Sequence, residues 1–280
     1  MTIFRPCIDL HEGHVKQIVG STLNDSNDRL AEDDRLAEDD RLAEDDRLAE
    51  DDQLVVNFVS DRPALWYAAK YKADHLRGGH VIQLGSGNEE AAIAALAGFP
   101  GGLQLGGGIR QENAAQWLER GASHVIVTSC LFDDAGHFLE HKLIALEREI
   151  GASRLVIDLS CKRTEQGWMV AKDRWQTLTD LPVNHQTLDQ LAGYCDEFLI
   201  HAADVEGLCQ GVDVELIDLL GAWGKIPMTY AGGVASMDDV RLVSEVSKDK
   251  VDVTVGSSLD LFGGDGVAYR ELVDWNQSRN

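Results

Sequence analysis

The chain has 280 residues, of which 26% are charged, and its formal net charge at pH 7 is −23. Nucleic acids and anionic membranes are bound mainly through clustered lysine and arginine, so neither is expected as a partner of so acidic a chain. No apolar run reaches the roughly 18 residues that a membrane-spanning helix needs, so we expect no membrane span.

Short apolar runs rich in β-formers alternate along the chain with longer segments of helical period. The runs predict eight strands, over residues 3–10, 80–84, 103–105, 124–127, 154–159, 197–201, 227–230 and 251–255. The segments between and after them predict helices over 63–74, 89–97, 111–120, 137–150, 187–194, 214–223, 237–247 and 267–275. This alternation predicts an α/β fold in which a parallel sheet closes into a single (β/α)8 TIM barrel over residues 1–280. An open doubly wound sheet is the alternative.

A low-complexity insert falls in the loop after the first predicted strand, where RLAEDD occurs four times in succession over residues 29–52. Its leucines recur every six residues, which spreads them around a helix and gives no buried face. We interpret the insert as a solvated element, with a lid or docking element as the alternative. Without these 24 residues the chain retains 256, close to the roughly 250 typical of a TIM barrel.

The two halves of the chain carry the same features in the same order. The tetrapeptide CIDL, which contains Asp9, recurs as VIDL, which contains Asp158, and a glycine run follows each copy. Gly107 lies 98 positions after Asp9 and Gly232 lies 74 positions after Asp158, and the difference, 98 − 74 = 24, is the length of the insert. The sequence therefore predicts two half-barrels in register.

Asp9 and Asp158 are the candidate acid–base residues. They end the first and fifth predicted strands, which in a barrel places them opposite each other across the face where active sites are built. A substrate between them would lose a proton to one carboxyl group and receive one from the other. A single aspartate after a strand is often only a loop cap, but recurrence in an internal repeat favours catalysis.

Glycines and small polar residues follow four of the predicted strands and predict two anion pockets on opposite sides of the mouth. Glycine turns expose backbone N–H groups, and the loops after strands seven and eight are the usual phosphate position of a TIM barrel. Two pockets predict a small substrate with a phosphate at each end. The first pocket would contain Gly107, Gly108, Thr128 and Ser129, with Arg110 as a charged donor, and the second Gly232, Gly233, Gly256 and Ser257.

Seven segments together resemble the HisA isomerase family of histidine biosynthesis, in its eukaryotic-type branch. They are CIDLHEGHVKQIVG, LQLGGGIR, VIVTSCLF, LVIDLSCKR, FLIHAADVEGLCQG, YAGGV and VTVGSSLDLFGG. The resemblance covers nearly the whole chain apart from the insert. It implies the Amadori rearrangement of the aminoaldose ProFAR to the aminoketose PRFAR, on a substrate that carries two ribose phosphates.

The resemblance also implies roles for individual residues. Asp9 would be the general base that removes the proton from the ribose carbon beside the anomeric carbon, and Asp158 the general acid that helps to open the ring. Trp175 would stack on the imidazole carboxamide. His201 stands where bacterial members have a supporting threonine, and it is a further catalytic candidate. An Amadori shift moves only protons and the chain shows no clustered metal ligands, so we expect neither a metal nor an organic cofactor.

The opening MTIFRPCIDL lacks the features of a signal peptide, and we expect a cytoplasmic monomer.

Two other functions stay open. A HisF-like cyclase of the same pathway would share the barrel, both aspartates and both phosphate sites, although GHVKQIVG and HAADVEGLC resemble HisA more closely. A non-catalytic barrel binding protein, in which the acidic repeats block the mouth, is the other alternative. The presence of both aspartates and both glycine pairs argues against it.

Overall fold

The structure is a computed structural model, which describes residues 1–18, 56–173 and 175–279. The insert predicted at 29–52 lies outside the described residues. The strands are β1 (Cys7–His11), β2 (His14–Ile18), β3 (Val56–Val59), β4 (Gly79–Gln83), β5 (Leu103–Gly106), β6 (Val125–Val127), β7 (Leu155–Asp158), β8 (Cys161–Thr164), β9 (Gly167–Lys172), β10 (Thr177–Pro182), β11 (Glu197–His201), β12 (Met228–Ala231) and β13 (Asp252–Val253). The α-helices are α1 (Ala64–Ala73), α2 (Glu89–Gly98), α3 (Gln111–Glu119), α4 (Glu140–Ile150), α5 (His185–Leu191), α6 (Val214–Trp223), α7 (Met237–Ser247) and α8 (Tyr269–Gln277).

Parallel strands form the centre of the molecule, in the order β1-β4-β5-β6-β7-β11-β12-β13. Their residues are buried almost without a break, as expected where a parallel sheet is covered on both faces. Phe4, just before β1, forms a parallel bridge with Val253 in β13. The backbone N of Arg5 donates to Val253 O at 2.9 Å, and Val253 N donates to Ile3 O at 3.0 Å. These bonds connect the first and last parallel strands, so the sheet curls into a TIM-barrel-like α/β fold.

Each helix buries one face against the sheet, as α1 shows. Its buried residues Ala64, Tyr67, Ala68 and Tyr71 recur at spacings of one, three and four residues, which places them on one side of the helix. The Tyr71 hydroxyl donates to the backbone O of Cys7 in β1 at 3.0 Å. This bond fixes α1 against the strand that carries Asp9.

All eight predicted strands and all eight predicted helices have a counterpart in the structure. The bounds predicted for α6 are confirmed, because Asp213 caps its first turn by accepting from Leu216 N at 3.1 Å and the left-handed Gly224 ends it. The predicted start of α5 at 187 was wrong. The side chain of Asn184 accepts from Thr187 N at 2.9 Å, so the helix begins at residue 185. Strand one, predicted from residue 3, begins at residue 7.

Two antiparallel additions to the parallel sheet were not predicted. β1 turns through Glu12 and Gly13, both with positive φ, into β2, and β2 pairs with β3 on the far side of residues 19–55. This tight turn is the kind that suits the twist of a hairpin. The second addition is the three-stranded sheet β8-β9-β10, which follows β7. Trp175 lies between β9 and β10.

A polar layer fills the interior at the amino-terminal ends of the parallel strands. Arg5 Nε lies 2.8 Å from Asp252 Oδ2, and Arg5 Nη1 lies 3.8 Å from Glu197 Oε2. Glu197 also accepts from Gln104 Nε2 at 2.8 Å and from Thr229 Oγ1 at 2.6 Å. We call these five residues the barrel floor. They close the interior at the end opposite to Asp9 and Asp158.

Candidate active site

A cavity of about 640 Å³ opens at the carboxyl ends of the parallel strands. This volume lies in the range of small-molecule sites. The structure brings every site residue predicted from the sequence into the lining of this cavity. They are Asp9, Gly107, Gly108, Arg110, Thr128, Ser129, Asp158, Trp175, His201, Gly232, Gly233, Gly256 and Ser257. Their chemical roles remain proposals.

Asp9 is held by the unpredicted hairpin. Gln17 in β2 donates from Nε2 to Asp9 Oδ2 at 2.8 Å. Burial raises the pKa of the Asp9 carboxyl, and the Gln17 hydrogen bond and the charge of His201 offset this only in part. A carboxylate with a raised pKa is a stronger base, which suits proton abstraction.

Asp158 ends β7, four parallel strands away from β1. Its Oδ1 accepts from both Ser160 N and Ser160 Oγ at 2.8 Å, and its backbone O accepts from Thr128 Oγ1 at 3.1 Å. Ser160 is itself buried, so both donors are fixed in place. The carboxylate is therefore held in one orientation towards the cavity.

His201 ends β11 and lies between Asp158 and Trp175. Its Nδ1 is 3.5 Å from Asp158 Oδ1, and its ring centroid is 5.9 Å from that of Trp175. Burial lowers the pKa of His201, but the carboxylates of Asp158, Glu206 and Asp9 outweigh burial and raise it to about 9. His201 is therefore an imidazolium at neutral pH.

His80 in β4, which the sequence interpretation missed, lies on another side of His201 with 6.1 Å between the ring centroids. Burial, and then the charge of His201, lower the pKa of His80 to about 3. The cavity therefore contains one charged and one neutral histidine. His80 begins a predicted strand, where a polar residue before an apolar run is usually a surface residue, so no signal pointed to it.

Glu206 is a second residue that the sequence interpretation missed. It follows β11 by five positions, and its Oε2 is buried without a hydrogen-bond partner among the described residues. A Cβ on Gly232 would lie 3.3 Å from Glu206 Oε2, and one on Gly256 would lie 4.0 Å from Oε1. Burial raises the pKa of this carboxyl. Its position beside the second predicted anion pocket could have been inferred only from the loop conformation.

The first predicted anion pocket is built on close backbone packing. Gly107 has φ +89, and a Cβ there would lie 2.1 Å from Gln83 O, so only glycine fits. Ser129 Oγ accepts from Asp173 N at 3.2 Å, which ties the loop between β9 and β10 to the pocket. Arg110 is exposed at the start of α3, and no ion pair to it is found within the described residues.

The second predicted anion pocket shows the same tight packing, since a Cβ on Gly233 would lie 2.1 Å from Gly211 O. The unpredicted hairpin reaches this pocket as well. Asn57 in β3 donates to Ser257 Oγ at 3.0 Å, and a Cβ on Gly256 would lie 2.6 Å from Gln17 Oε1. The β2-β3 pair therefore contacts both Asp9 and the second pocket.

Trp175 lies at the tip of the β9-β10 turn, which covers the cavity. Asp173 and Trp175 have φ +52 and +66, left-handed values that are uncommon for residues with a side chain. Lys172 Nζ lies 2.5 Å from Asp173 Oδ2. The indole ring faces His201, so the space that the resemblance assigns to an imidazole carboxamide borders a charged histidine.

The part of the chain that the structure describes contains no group of three or more His, Cys, Asp or Glu residues placed to hold a metal ion. It also contains no helix that is both long enough and apolar enough to cross a bilayer.

Comparisons with known proteins agree with one another. The family described as histidine biosynthesis protein matches residues 47–264. A Yarrowia lipolytica protein named 1-(5-phosphoribosyl)-5-((5-phosphoribosylamino)methylideneamino)imidazole-4-carboxamide isomerase is 50% identical, over 99% of this chain and 98% of its own. The Saccharomyces cerevisiae protein of that name is 46% identical over 100% of both chains. A Medicago truncatula protein of that name, described as chloroplastic, is 46% identical over 99% of this chain and 82% of its own.

Proposed function

We propose a function from one premise: the chain belongs to the histidine biosynthesis protein family. It is an isomerase of histidine biosynthesis that converts ProFAR to PRFAR by an Amadori rearrangement, an aldose–ketose isomerisation. The observation that carries this proposal is one cavity with Asp9 and Asp158 on strands β1 and β7 and a glycine pocket on either side. The printed names of relatives that match nearly the full chain support the same reaction.

Asp9 serves the base side of the reaction and Asp158 the acid side. Asp9, with its raised pKa, removes the proton from the ribose carbon beside the anomeric carbon. Asp158 lies on the acid side, where a proton must reach the ribose ring oxygen for the ring to open. The Ser160 hydrogen bonds fix Asp158, and the Gln17 hydrogen bond fixes Asp9. Each group is therefore held in place before substrate binds, which lowers the cost of reaching the transition state.

The glycine pockets bind the two substrate phosphates. Gly107, Gly108, Thr128 and Ser129 would bind one phosphate, with Arg110 at the rim, and Gly232, Gly233, Gly256 and Ser257 the other. Backbone N–H groups of such turns bind anions without a broad positive field, which a chain of net charge −23 lacks. Trp175 would stack on the imidazole carboxamide between them. The substrate is thus held at both ends while its ribose lies between Asp9 and Asp158.

The curled sheet would be a closed (β/α)8 barrel made of two half-barrels, with residues 29–52 as an insert between β2 and β3. The Phe4–Val253 bridge and the equivalent positions of Asp9 and Asp158 support it. A bisphosphorylated small molecule is the expected partner. The monomeric state and the cytoplasmic location remain predictions.

The test is incubation of the purified chain with ProFAR, followed by absorbance and by chromatography of the product. We expect PRFAR to form, and we expect the Asp9→Asn variant to form it far more slowly. A cyclase would instead consume PRFAR when ammonium is added. A non-catalytic binding protein would bind ProFAR and leave it unchanged.

A further inference from the structure

Ring opening in the proposed reaction requires a proton donor, and we propose that His201 holds this proton while Asp158 positions the imidazolium. The inference rests on the proposed function, which leaves open which member of the Asp158–His201 pair delivers the proton. It differs from the resemblance-based expectation that the Asp158 carboxyl is itself the acid.

Asp158 is surrounded by donors. Its Oδ1 accepts from Ser160 N and Ser160 Oγ, both at 2.8 Å, and faces His201 Nδ1 at 3.5 Å. A backbone N–H can only donate, so this oxygen acts as an acceptor. Three donors at one oxygen, one of them cationic, stabilise the charged carboxylate. A carboxylate has no proton to give, so Asp158 is better suited to orienting a cation than to acting as the acid.

His201 is surrounded by groups that keep it protonated. Asp158 from β7, Asp9 from β1 and Glu206 from the loop after β11 are the carboxylates that act on it. Together they outweigh burial and raise the pKa of His201 to about 9. His80 from β4 lies 6.1 Å from His201, ring centroid to ring centroid, and burial, followed by the charge of His201, lowers its pKa to about 3. His80 is therefore neutral and does not compete as a proton carrier.

The orientation of His201 leaves one nitrogen for the substrate. Nδ1 faces Asp158, and Nε2 has no hydrogen-bond partner among the described residues, although the side chain lines the cavity. The Trp175 ring lies 5.9 Å away, centroid to centroid, and limits the cavity beside the imidazole. An Asp–His pair with one ring nitrogen fixed and the other free is an established arrangement for proton transfer.

The proton steps balance with two groups. His201 Nε2–H gives its proton to the ribose ring oxygen, the bond from that oxygen to the anomeric carbon breaks, and the nitrogen lone pair forms C=N. Asp9 then takes the proton from the adjacent carbon, whose C–H electrons form C=C while the C=N electrons return to nitrogen. In the last step Asp9 returns its proton to the anomeric carbon, and neutral His201 takes the hydroxyl proton as the ketone forms. Both groups end as they began.

The kinetic test compares His201→Gln, Asp158→Asn and the parent by the pH dependence of ProFAR turnover. The parent should lose kcat/KM at high pH with an apparent pKa near 9. We expect His201→Gln to lower kcat by about 10²–10⁴ with little change in KM, and to abolish this alkaline limb. The control is His137→Gln, since His137 is paired with Asp133 at 3.0 Å on the surface and is not among the residues that line the cavity. It should leave kcat and the limb unchanged.

A second measurement does not depend on turnover. The ring nitrogens of ¹⁵N-labelled histidine report the charge of His201 in the free protein, with the signal assigned by its loss in His201→Gln. We expect the His201 signal to remain that of an imidazolium up to about pH 9, and its pKa to fall in Asp158→Asn, because the nearest carboxylate is removed. A neutral His201 at pH 7, or a kcat in His201→Gln within a few-fold of the parent, would overturn the inference. A protein that shows the imidazolium but no ProFAR turnover would instead contradict the proposed function.

Discussion

Gln17 Nε2 lies 2.8 Å from Asp9 Oδ2, so a side chain of the β2 hairpin strand contacts the proposed catalytic base on β1. Gln17 is buried, and its amide stabilises the charged form of Asp9 against the effect of burial. The strand that leads into residues 19–55 is therefore part of the proposed catalytic machinery.

This contact predicts a pH effect of Gln17→Met. The hydrogen bond lowers the pKa of Asp9, so its loss should raise that pKa further. A base must be ionised to act, so the acidic limb of kcat/KM should move to higher pH, while the rate above the limb changes little. The measurement is the pH profile of ProFAR turnover. Gln116→Met, at an exposed position of α3, is the control and should not move the limb. An unchanged limb in Gln17→Met would show that Gln17 has no influence on the base.

The aspartates predict a second set of outcomes. Asp9→Asn and Asp158→Asn should each lower kcat by about 10²–10⁴, because each removes a charged partner in proton transfer and little volume. Thermal unfolding should show that both variants are folded. Asp238→Asn, on the exposed side of α7, is the control and should retain the parent rate. Turnover within a few-fold of the parent in either site variant would remove that residue from the mechanism.

The fold was largely predictable because its signals are local. Near-continuous apolar runs mark parallel strands, and capping residues such as Asp213 and Gly224 mark helix ends. The β8-β9-β10 sheet was missed although its strands pair with their neighbours in sequence, because its first and last strands, CKRT and TLTDLP, carry charged and hydroxyl residues and do not form apolar runs. The β2-β3 pair was missed because its pairing joins segments that are distant in sequence. β2 and β3 are separated by residues 19–55, so no short-range turn signal joins them.

The site was predictable where it is repeated in the two half-chains or where a family motif marks it. Asp9 and Asp158 recur in the two half-chains, and the family suggested by their motifs is confirmed by the comparisons. Gln17, His80 and Glu206 have no such repeat. Gln17 and His80 stand next to apolar residues, where a polar residue usually faces solvent, and Glu206 lies in a loop, so each reaches the cavity only through the packing of the folded chain.

The proposed chemistry predicts no dependence on metal. Asp9 and His201 supply and accept every proton in the scheme above, so dialysis against a chelator should leave the ProFAR rate unchanged. The control is the same dialysis with the chelator saturated by calcium. Activity that is lost on chelation and restored by a divalent ion would contradict the acid–base scheme.

The barrel floor predicts a large effect on stability. Arg5→Met should lower the free energy of unfolding by about 3–5 kcal/mol, because it leaves the buried carboxylate of Glu197 and the partly buried carboxylate of Asp252 without their cation. Arg241→Met removes an exposed pair with Asp238 and should cost less than about 1 kcal/mol. Denaturant unfolding of both variants measures the difference.

The last prediction concerns the insert, whose removal should preserve fold and activity. Ile18 and Val56, on either side of residues 19–55, are register partners in the β2-β3 pair, so a shorter connection can span them. Loop-closure cost changes by only about 0.6 kcal/mol per doubling of length, so deletion of residues 29–52 should raise stability by at most about 1–2 kcal/mol.

Deletion changes the net charge from −23 to −15, because each repeat carries one Arg, one Glu and two Asp. If the acidic repeats repel a bisphosphate, kcat/KM should rise on deletion, and added salt should raise that of the parent, since exposed charges are screened over about 8–10 Å. A variant with a neutral glycine–serine segment of the same length separates charge from length and should behave like the deletion. A deletion that folds but loses activity a hundredfold would show that the repeats form a working lid, and the interpretation as a solvated insert would then be wrong.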